Sequence, residues 1–235
     1  RKAIGIPADR RPSIIFLFVE SLRSYELAHP GLGPKIFPNL SRYLKSNAIV
    51  FEQAYVSQLT AGETVKGEFA AQCSMLPDSF GPAAYIAHPT AKIDCIQGLL
   101  KDTGYQTVWV NGFTTSFHNK GLFEAAHGID TFYDEDYFRG RGVDEVIGLG
   151  LADYPVLDET VKLLEGLHAK GPFYANVTTL STHHPWSVIP EGKLPNDLEA
   201  GVAGDPDYHG YLTRMHYADK ALGNFLDKFM KSPLA

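Results

Sequence analysis

The sequence has 235 residues, with Lys+Arg 21 against Asp+Glu 27 for a formal net charge of −6, hydrophobic residues at 44% and charged residues at 20%. A chain of this size buries roughly 70–75% of the surface its unfolded form exposes, so one large core is possible without metal or disulfide staples, and intrinsic disorder is excluded. The acidic balance and singly scattered Lys and Arg give no field for a polyphosphate backbone, which argues against nucleic-acid binding.

In chain order, residues 1–11 are a polar lead, and the charged start RKAIGIPADRRP precedes no signal-type apolar segment. SIIFLFVES then reads as a fully buried strand ending near Glu20, and its apolar run, residues 14–19, is far too short to span a bilayer. FPNLSRYLKSN at 37–47 carries Pro38, Leu40, Leu44 and a stop at Asn47, which predicts a short amphipathic helix. AIVFEQAYV at 48–56 alternates as a second strand. In LTAGETVKGEFAAQCSML, Thr60 and Glu63 have capping-box spacing and Phe69, Cys73 and Leu76 share a face, so a helix begins between Thr60 and Thr64.

AKIDCIQGLLKDTG sets Ile93, Ile96, Leu99 and Leu100 ahead of Gly104, a helix with a glycine cap, and YQTVWVNG is the strand after it. TTSFHNKGLFEAAHGID holds a short helix, LDETVKLLEGLHAKG an amphipathic helix closed by Gly171, and PFYANVTTLSTHHP a strand running into polar residues. A long helix covers residues 208–230. GRGVDEVIGLGLADYP and EGKLPNDLEAGVAGDPDYHG are rich in turn residues and read as surface loops. Strands alternating with helices predict an α/β fold, a mostly parallel central sheet with helices on both faces and ligands beyond the carboxyl ends of the strands. Residues 1–235 form one domain on this reading, without repeats.

Four places can carry chemistry. Glu20 follows six apolar strand residues, where an unpaired buried charge costs several kcal/mol, so it needs a cation: a metal ion, or Arg23 or a helix N-terminus. Thr64 lies at a strand-to-helix turn, where free N–H groups favour an anion that its hydroxyl can attack; as a bland reading it, or Thr60, is an N-cap. His183 and His184 end a strand before Pro185, and since adjacent side chains diverge only one faces the site, where it can donate to a phosphoryl oxygen. His118, Asn119 and Lys120 gather donors after another strand, or simply open a polar helix.

Cys73 and Cys95 show no CxxC or Cys/His spacing and set no compartment. Cys73 invites comparison with the CxPSR cysteine of sulfatases, converted there to a formylglycine nucleophile, but CSMLPD lacks the Pro and Arg, and Cys73 reads as a core cysteine. His127 with Asp130, Asp207 with His209 and His216 with Asp219 follow no apolar strand and read as surface polar pairs.

The ordered set of ES at Glu20, GETVKGEF, SFHNK, STHHPW and HYADKALGNFLDKF resembles the sulfatase-like branch of the alkaline phosphatase superfamily. It looks most like the extracytoplasmic domain of lipoteichoic acid synthases and related phosphoglycerol transferases, from Ile14 onward. The resemblance implies that Glu20 binds a divalent metal, Mn2+ with Zn2+ or Mg2+ as alternatives, and that Thr64 is both nucleophile and metal ligand. It further implies that His183, His118, Asn119 and Lys120 handle the headgroup, with His118 and Lys120 replacing the family's usual Trp and Arg. Lys lacks the bidentate fork of Arg, so the headgroup is held differently or is a different one.

The same resemblance implies a phospholipid headgroup donor, a glycan or polyol-phosphate acceptor, and a membrane-anchored full-length protein on the extracytoplasmic face of a bacterial membrane, with membrane helices upstream. Phosphoethanolamine transfer, sulfatase or phosphodiesterase hydrolysis, and a non-catalytic glycan- or lipid-binding role are the alternatives. The family's other metal ligands are an Asp-His pair after a late apolar strand, and no histidine here directly follows Asp. The expectation is therefore a catalytic-domain fragment whose sheet edge lacks a neighbour, with that pair beyond Ala235 and the fragment itself binding metal weakly.

Overall fold

The computed structural model describes residues 11–55, 64–78, 80–202 and 204–235. Four parallel strands form the central sheet: β1 (Ile14–Phe18), β2 (Gln106–Asn111), β3 (Thr131–Tyr133) and a fourth at Phe173–Thr178, in the spatial order β1, fourth, β2, β3. A two-stranded antiparallel hairpin, β4 (Val146–Ile147) and β5 (Gly150–Leu151), precedes that fourth strand, which is therefore β6. Register runs from Ile14 opposite Tyr174 to Phe18 opposite Thr178, and β2 pairs along the other side of β6 from Gln106–Phe173 to Asn111–Thr178.

The period of two along the strands sorts the layers. Ile15, Leu17, Val108, Val110, Ala175 and Val177 face the two long helices, α9 (Asp153–His168) and α11 (Pro206–Lys231), meeting Val156, Leu157, Val161, Leu164, Leu222 and Phe225. Ile14, Phe16, Trp109 and Tyr174 face the other layer, against α6 (Ile96–Asp102). There α4 (Thr64–Cys73), α5 (Ala84–Ala87) and α7 (Lys120–Ala126) pack through Val65, Phe69, Tyr85 and Phe123. The chain is thus an α/β fold with a mainly parallel sheet flanked by helices.

Helix ends follow local chemistry. α11 starts at Pro206 with Asp205 accepting the Tyr208 N–H at 3.0 Å. The predicted 37–47 helix is α3 (Pro38–Ser46), and its free N–H groups go to the buried Asp219 carboxylate, which accepts from Asn39 N and Leu40 N at 2.9 and 2.8 Å. Asp219 is therefore no surface residue. His127 is also buried, between the carbonyls of Phe123 and Ala91.

Several expectations are corrected. β1 is half-buried along its whole length, because β6 covers one side and no strand pairs with the other among the described residues. Residues 48–55 form no strand: Ile49, Phe51 and Tyr55 are exposed, and alternation makes a strand only where a neighbour completes the ladder. Val56 and the capping pair Thr60 and Glu63 lie outside the described residues. The glycine-rich 140–155 stretch holds the β4–β5 hairpin and the start of α9, and the 191–210 stretch holds α10 (Asn196–Val202) and the start of α11. The short helices α1 (Ser24–Ala28), α2 (Gly33–Ile36), α5 and α8 (Glu135–Arg139) span one turn or so and show no periodicity to read.

Cys73 and Cys95 are disulfide-bonded, joining the end of α4 to the residue before α6. Each sits on a buried apolar face, and the sequence could not say that the two faces meet. The bridge closes 22 residues of chain, so reduction or Cys95→Ser is expected to cost about 3 kcal/mol. Denaturant unfolding with and without reductant measures it, and coincident curves would refute the estimate.

Candidate active site

The carboxyl ends of the strands converge on one cavity lined by Glu20, Thr64, Asn111, Phe113, Phe117, His118, Lys120, Leu149, Thr178, Leu180 and His183, among others. β1 delivers Glu20, β2 delivers Asn111, β6 delivers Thr178, and the N-terminus of α4 delivers Thr64. The Thr64 hydroxyl donates to Glu20 Oε2 at 2.7 Å, and Ser21 Oγ donates to Glu20 Oε1 at 3.0 Å. The backbone of Glu20 is fixed too: its N–H donates to Thr179 Oγ1 at 2.9 Å, and its carbonyl accepts from Thr182 Oγ1 at 2.6 Å. A carboxylate and a hydroxyl from residues 44 apart in sequence are thus held in contact at the sheet mouth, beside the first-turn N–H groups of α4.

His183 lines the cavity, whereas His184 is exposed and stands edge-on to Trp186. His118 lines it as well, stacked on Phe117. Asn119 is exposed and lies outside the lining. His118 and Asn119 have φ of 55° and 56°, two consecutive left-handed residues that turn the chain back into α7. Ser21, next to Glu20, is also left-handed at φ 55°, so three of the four such non-glycine residues described flank this cavity.

Lys120 is 6% exposed and does not project freely into the cavity. Its ammonium donates to Glu68 Oε1 at 3.0 Å, and Thr178 Oγ1 donates to the same oxygen at 2.7 Å. Glu68 is fully buried, and its Oε2 has no partner. The sequence singled out Thr64 and passed over Glu68, although a spacing of four puts both on one helical face.

Behind this pair lies a second buried carboxyl, Glu124, accepting from Tyr85 OH at 2.7 Å, Gln72 Nε2 at 3.1 Å and Gln97 Nε2 at 3.0 Å. Burial, reinforced by the charge of Glu68, pushes its pKa up to about 7. Because the folded value lies above the unfolded one, the folded state binds the extra proton between roughly pH 4.5 and 7, and stability falls as pH rises through that window. On this count Glu124→Gln is expected to flatten a loss on the order of 3 kcal/mol, read from denaturant midpoints at pH 5 and pH 7.5. Identical slopes for variant and parent would exclude it.

Glu20 and Thr64 are oxygen donors suited to a hard divalent cation, but a catalytic ion normally takes about three or more protein groups. Among the described residues there is no cluster of three or more His, Cys, Asp or Glu side chains that could hold one. The two present fit one side of a metal site and leave its coordination incomplete.

A mainly parallel sheet flanked by helices is also the fold of the alkaline phosphatase superfamily's sulfatase-like branch. The chain matches the sulfatase family over residues 12–234 and belongs to it. It is 28% identical over 222 residues to lipoteichoic acid synthase 2 of Bacillus subtilis, covering 94% of this chain and 33% of that protein. It is 29% identical over 236 residues to phosphoglycerol transferase I of Xanthomonas campestris pv. campestris, covering 96% and 32%. The crystal structure of the lipoteichoic acid synthase LtaP from Listeria monocytogenes superposes with a TM-score of 0.82 at 26% identity, over 95% of this chain and 53% of that one. The Streptococcus pyogenes phosphoglycerol transferase GacH, solved with sn-glycerol-1-phosphate, shares the fold at a TM-score of 0.67 and 20% identity, over 94% and 58%. The chain therefore spans about a third of the length of these curated relatives.

Proposed function

We propose that the full-length protein transfers a phosphoglycerol-type headgroup from a membrane phospholipid to a glycan or polyol-phosphate acceptor through a phospho-threonine at Thr64. The observation that carries the reading is the Thr64 hydroxyl, held 2.7 Å from Glu20 in a cavity whose wall also carries His118, Lys120 and His183. In the first displacement the Thr64 Oγ1–P bond forms and the bond from phosphorus to the diacylglycerol oxygen breaks, so that diacylglycerol leaves as an alcohol after gaining a proton. In the second, the acceptor oxygen bonds to phosphorus and gives up its proton while the Thr64 Oγ1–P bond breaks, so that the glycerophosphoryl group passes to the acceptor and Thr64 Oγ1 regains a proton.

Glu20 Oε2 holds the hydroxyl hydrogen and aims the remaining Oγ1 lone pairs into the cavity. His183 and the first-turn amides of α4 would donate to the phosphoryl oxygens, and the Lys120 ammonium, which also serves Glu68, adds positive charge at the cavity wall. A divalent cation, manganese by resemblance, would be held by Glu20 and Thr64 together with ligands outside this set, and when bound it lowers the hydroxyl pKa and neutralises phosphate charge. By the same resemblance, an Asp-His pair after a late apolar strand is the proposed source of those ligands. The Cys73–Cys95 disulfide supports an oxidising location, the extracytoplasmic face of a bacterial membrane, and it leaves Cys73 no thiol for a formylglycine route. Among the described residues no helix is long and apolar enough to cross a membrane.

Full-length protein in vesicles of phosphatidylglycerol, with divalent metal supplied, is expected to release diacylglycerol and phosphorylate an acceptor hydroxyl. Release only from phosphatidylethanolamine vesicles would replace the headgroup, and no release from either would refute transfer.

A further inference from the structure

Arg214 stands on α11 with 3% of its surface exposed, and no carboxylate pairs with it among the described residues. Burial alone lowers the pKa of its guanidinium from the ordinary value. A cation kept in such a place costs free energy unless its donors are well used. Here Nη1 donates to Ser181 O at 2.8 Å, Nε to Ser187 O at 3.2 Å and Nη2 to Ser187 Oγ at 2.8 Å. These acceptors bracket the five residues that include His183.

The same segment is held on its other side by Asp153, whose carboxylate accepts from Leu180 N at 2.7 Å and Ser181 N at 2.9 Å. Thr182, between the clamps, is the residue that fixes the Glu20 carbonyl. The guanidinium also lies under the β4–β5 turn. Gly148 has φ +72°, a Cβ there would stand 2.7 Å from Nη1, and the next residue, Leu149, lines the cavity. Arg214 thus sits where two walls of the cavity join.

We infer that Arg214 is a positioning residue, which fixes the 181–187 segment so that His183 meets the phosphoryl group; the inference rests on the headgroup-transfer reading. Its planar fork reaches two residues six apart, which a lysine point charge does not reproduce. A merely structural arginine would lower stability without regard to His183, whereas a positioning one is coupled to it.

The test is a double-mutant cycle on full-length protein in phosphatidylglycerol vesicles, with kcat/KM of diacylglycerol release and amide exchange of residues 180–188 as readouts. Arg214→Met is expected to cut kcat/KM by about 30-fold in the parent and less than about threefold in a His183→Ala background, with Arg214→Lys recovering only part. Exchange in 180–188 should rise while β6 stays protected. Equal losses in both backgrounds, or unchanged exchange, would overturn the proposal. Should Arg214→Met fail to fold, Ser187→Ala removes the Oγ acceptor and enters the same cycle, where additivity is again the refuting result. Lack of release by the parent protein would sink the transfer reading instead, and the exchange data would still decide whether Arg214 holds this loop.

Discussion

Thr64→Ala is expected to lower headgroup transfer by about 10^4-fold or more while the protein melts within a few degrees of the parent. The two parts follow from different atoms. The hydroxyl oxygen is the group that bonds to phosphorus in the proposed reaction, and among the described residues that line the cavity Thr64 is the hydroxyl in contact with the Glu20 carboxylate. As a first-turn helix residue, by contrast, Thr64 contributes on the order of 1 kcal/mol to α4. Thr64→Ser keeps the oxygen and loses only the methyl that restricts χ1, so a measurable fraction of turnover should survive. Stopped-assay counts of released diacylglycerol, with a melting curve beside them, separate the outcomes. Transfer by Thr64→Ala at the parent rate would reduce Thr64 to a helix-start residue and remove the proposed intermediate.

The sheet and its long helices were legible because their signals are local. IIFLF, QTVWVN and FYANVT are dense in β-branched and aromatic residues, and α9 carries Val156, Leu157, Val161, Leu164 and Leu167 at helical spacing. Glu20, Thr64 and His183 could be marked for the same reason, each being a polar residue where an apolar element ends or begins. What stayed hidden depends on pairing between distant parts of the chain. Arg214 looks like one more surface cation in a long amphipathic helix until Ser181 and Ser187 are seen to wrap it. Asp153 and Glu124 look like ordinary helical acids, although both are buried, and burial pushes the Asp153 carboxyl up to about 6. The 48–55 segment failed in the opposite sense: its pattern was right for a strand, but no partner strand is present among the described residues.

Lys120 tests how far a cavity residue can be both structural and functional. Lys120→Ala is expected to destabilise the fold by about 3–5 kcal/mol, because it leaves the fully buried Glu68 carboxylate with one hydrogen bond from Thr178 and a second oxygen that has none. For a domain of this length that is a fall of roughly 10 °C in melting temperature. The sequence alone treats Lys120 as a solvent-facing headgroup donor, for which the same change would cost little stability. Removing both charges, as in Lys120→Met with Glu68→Leu, leaves neither partner of this pair as an uncompensated buried ion, so the double variant should regain most of the lost stability. It should not regain headgroup handling, since the ammonium next to the proposed phosphoryl position is gone, and KM for the donor is expected to stay raised by about tenfold. Melting curves and donor kinetics on the single and double variants separate the two contributions. A single variant that melts with the parent would show that the Glu68 pair contributes nothing to the fold. A double variant with the parent's KM would remove Lys120 from the substrate's surroundings and leave it a purely structural cation.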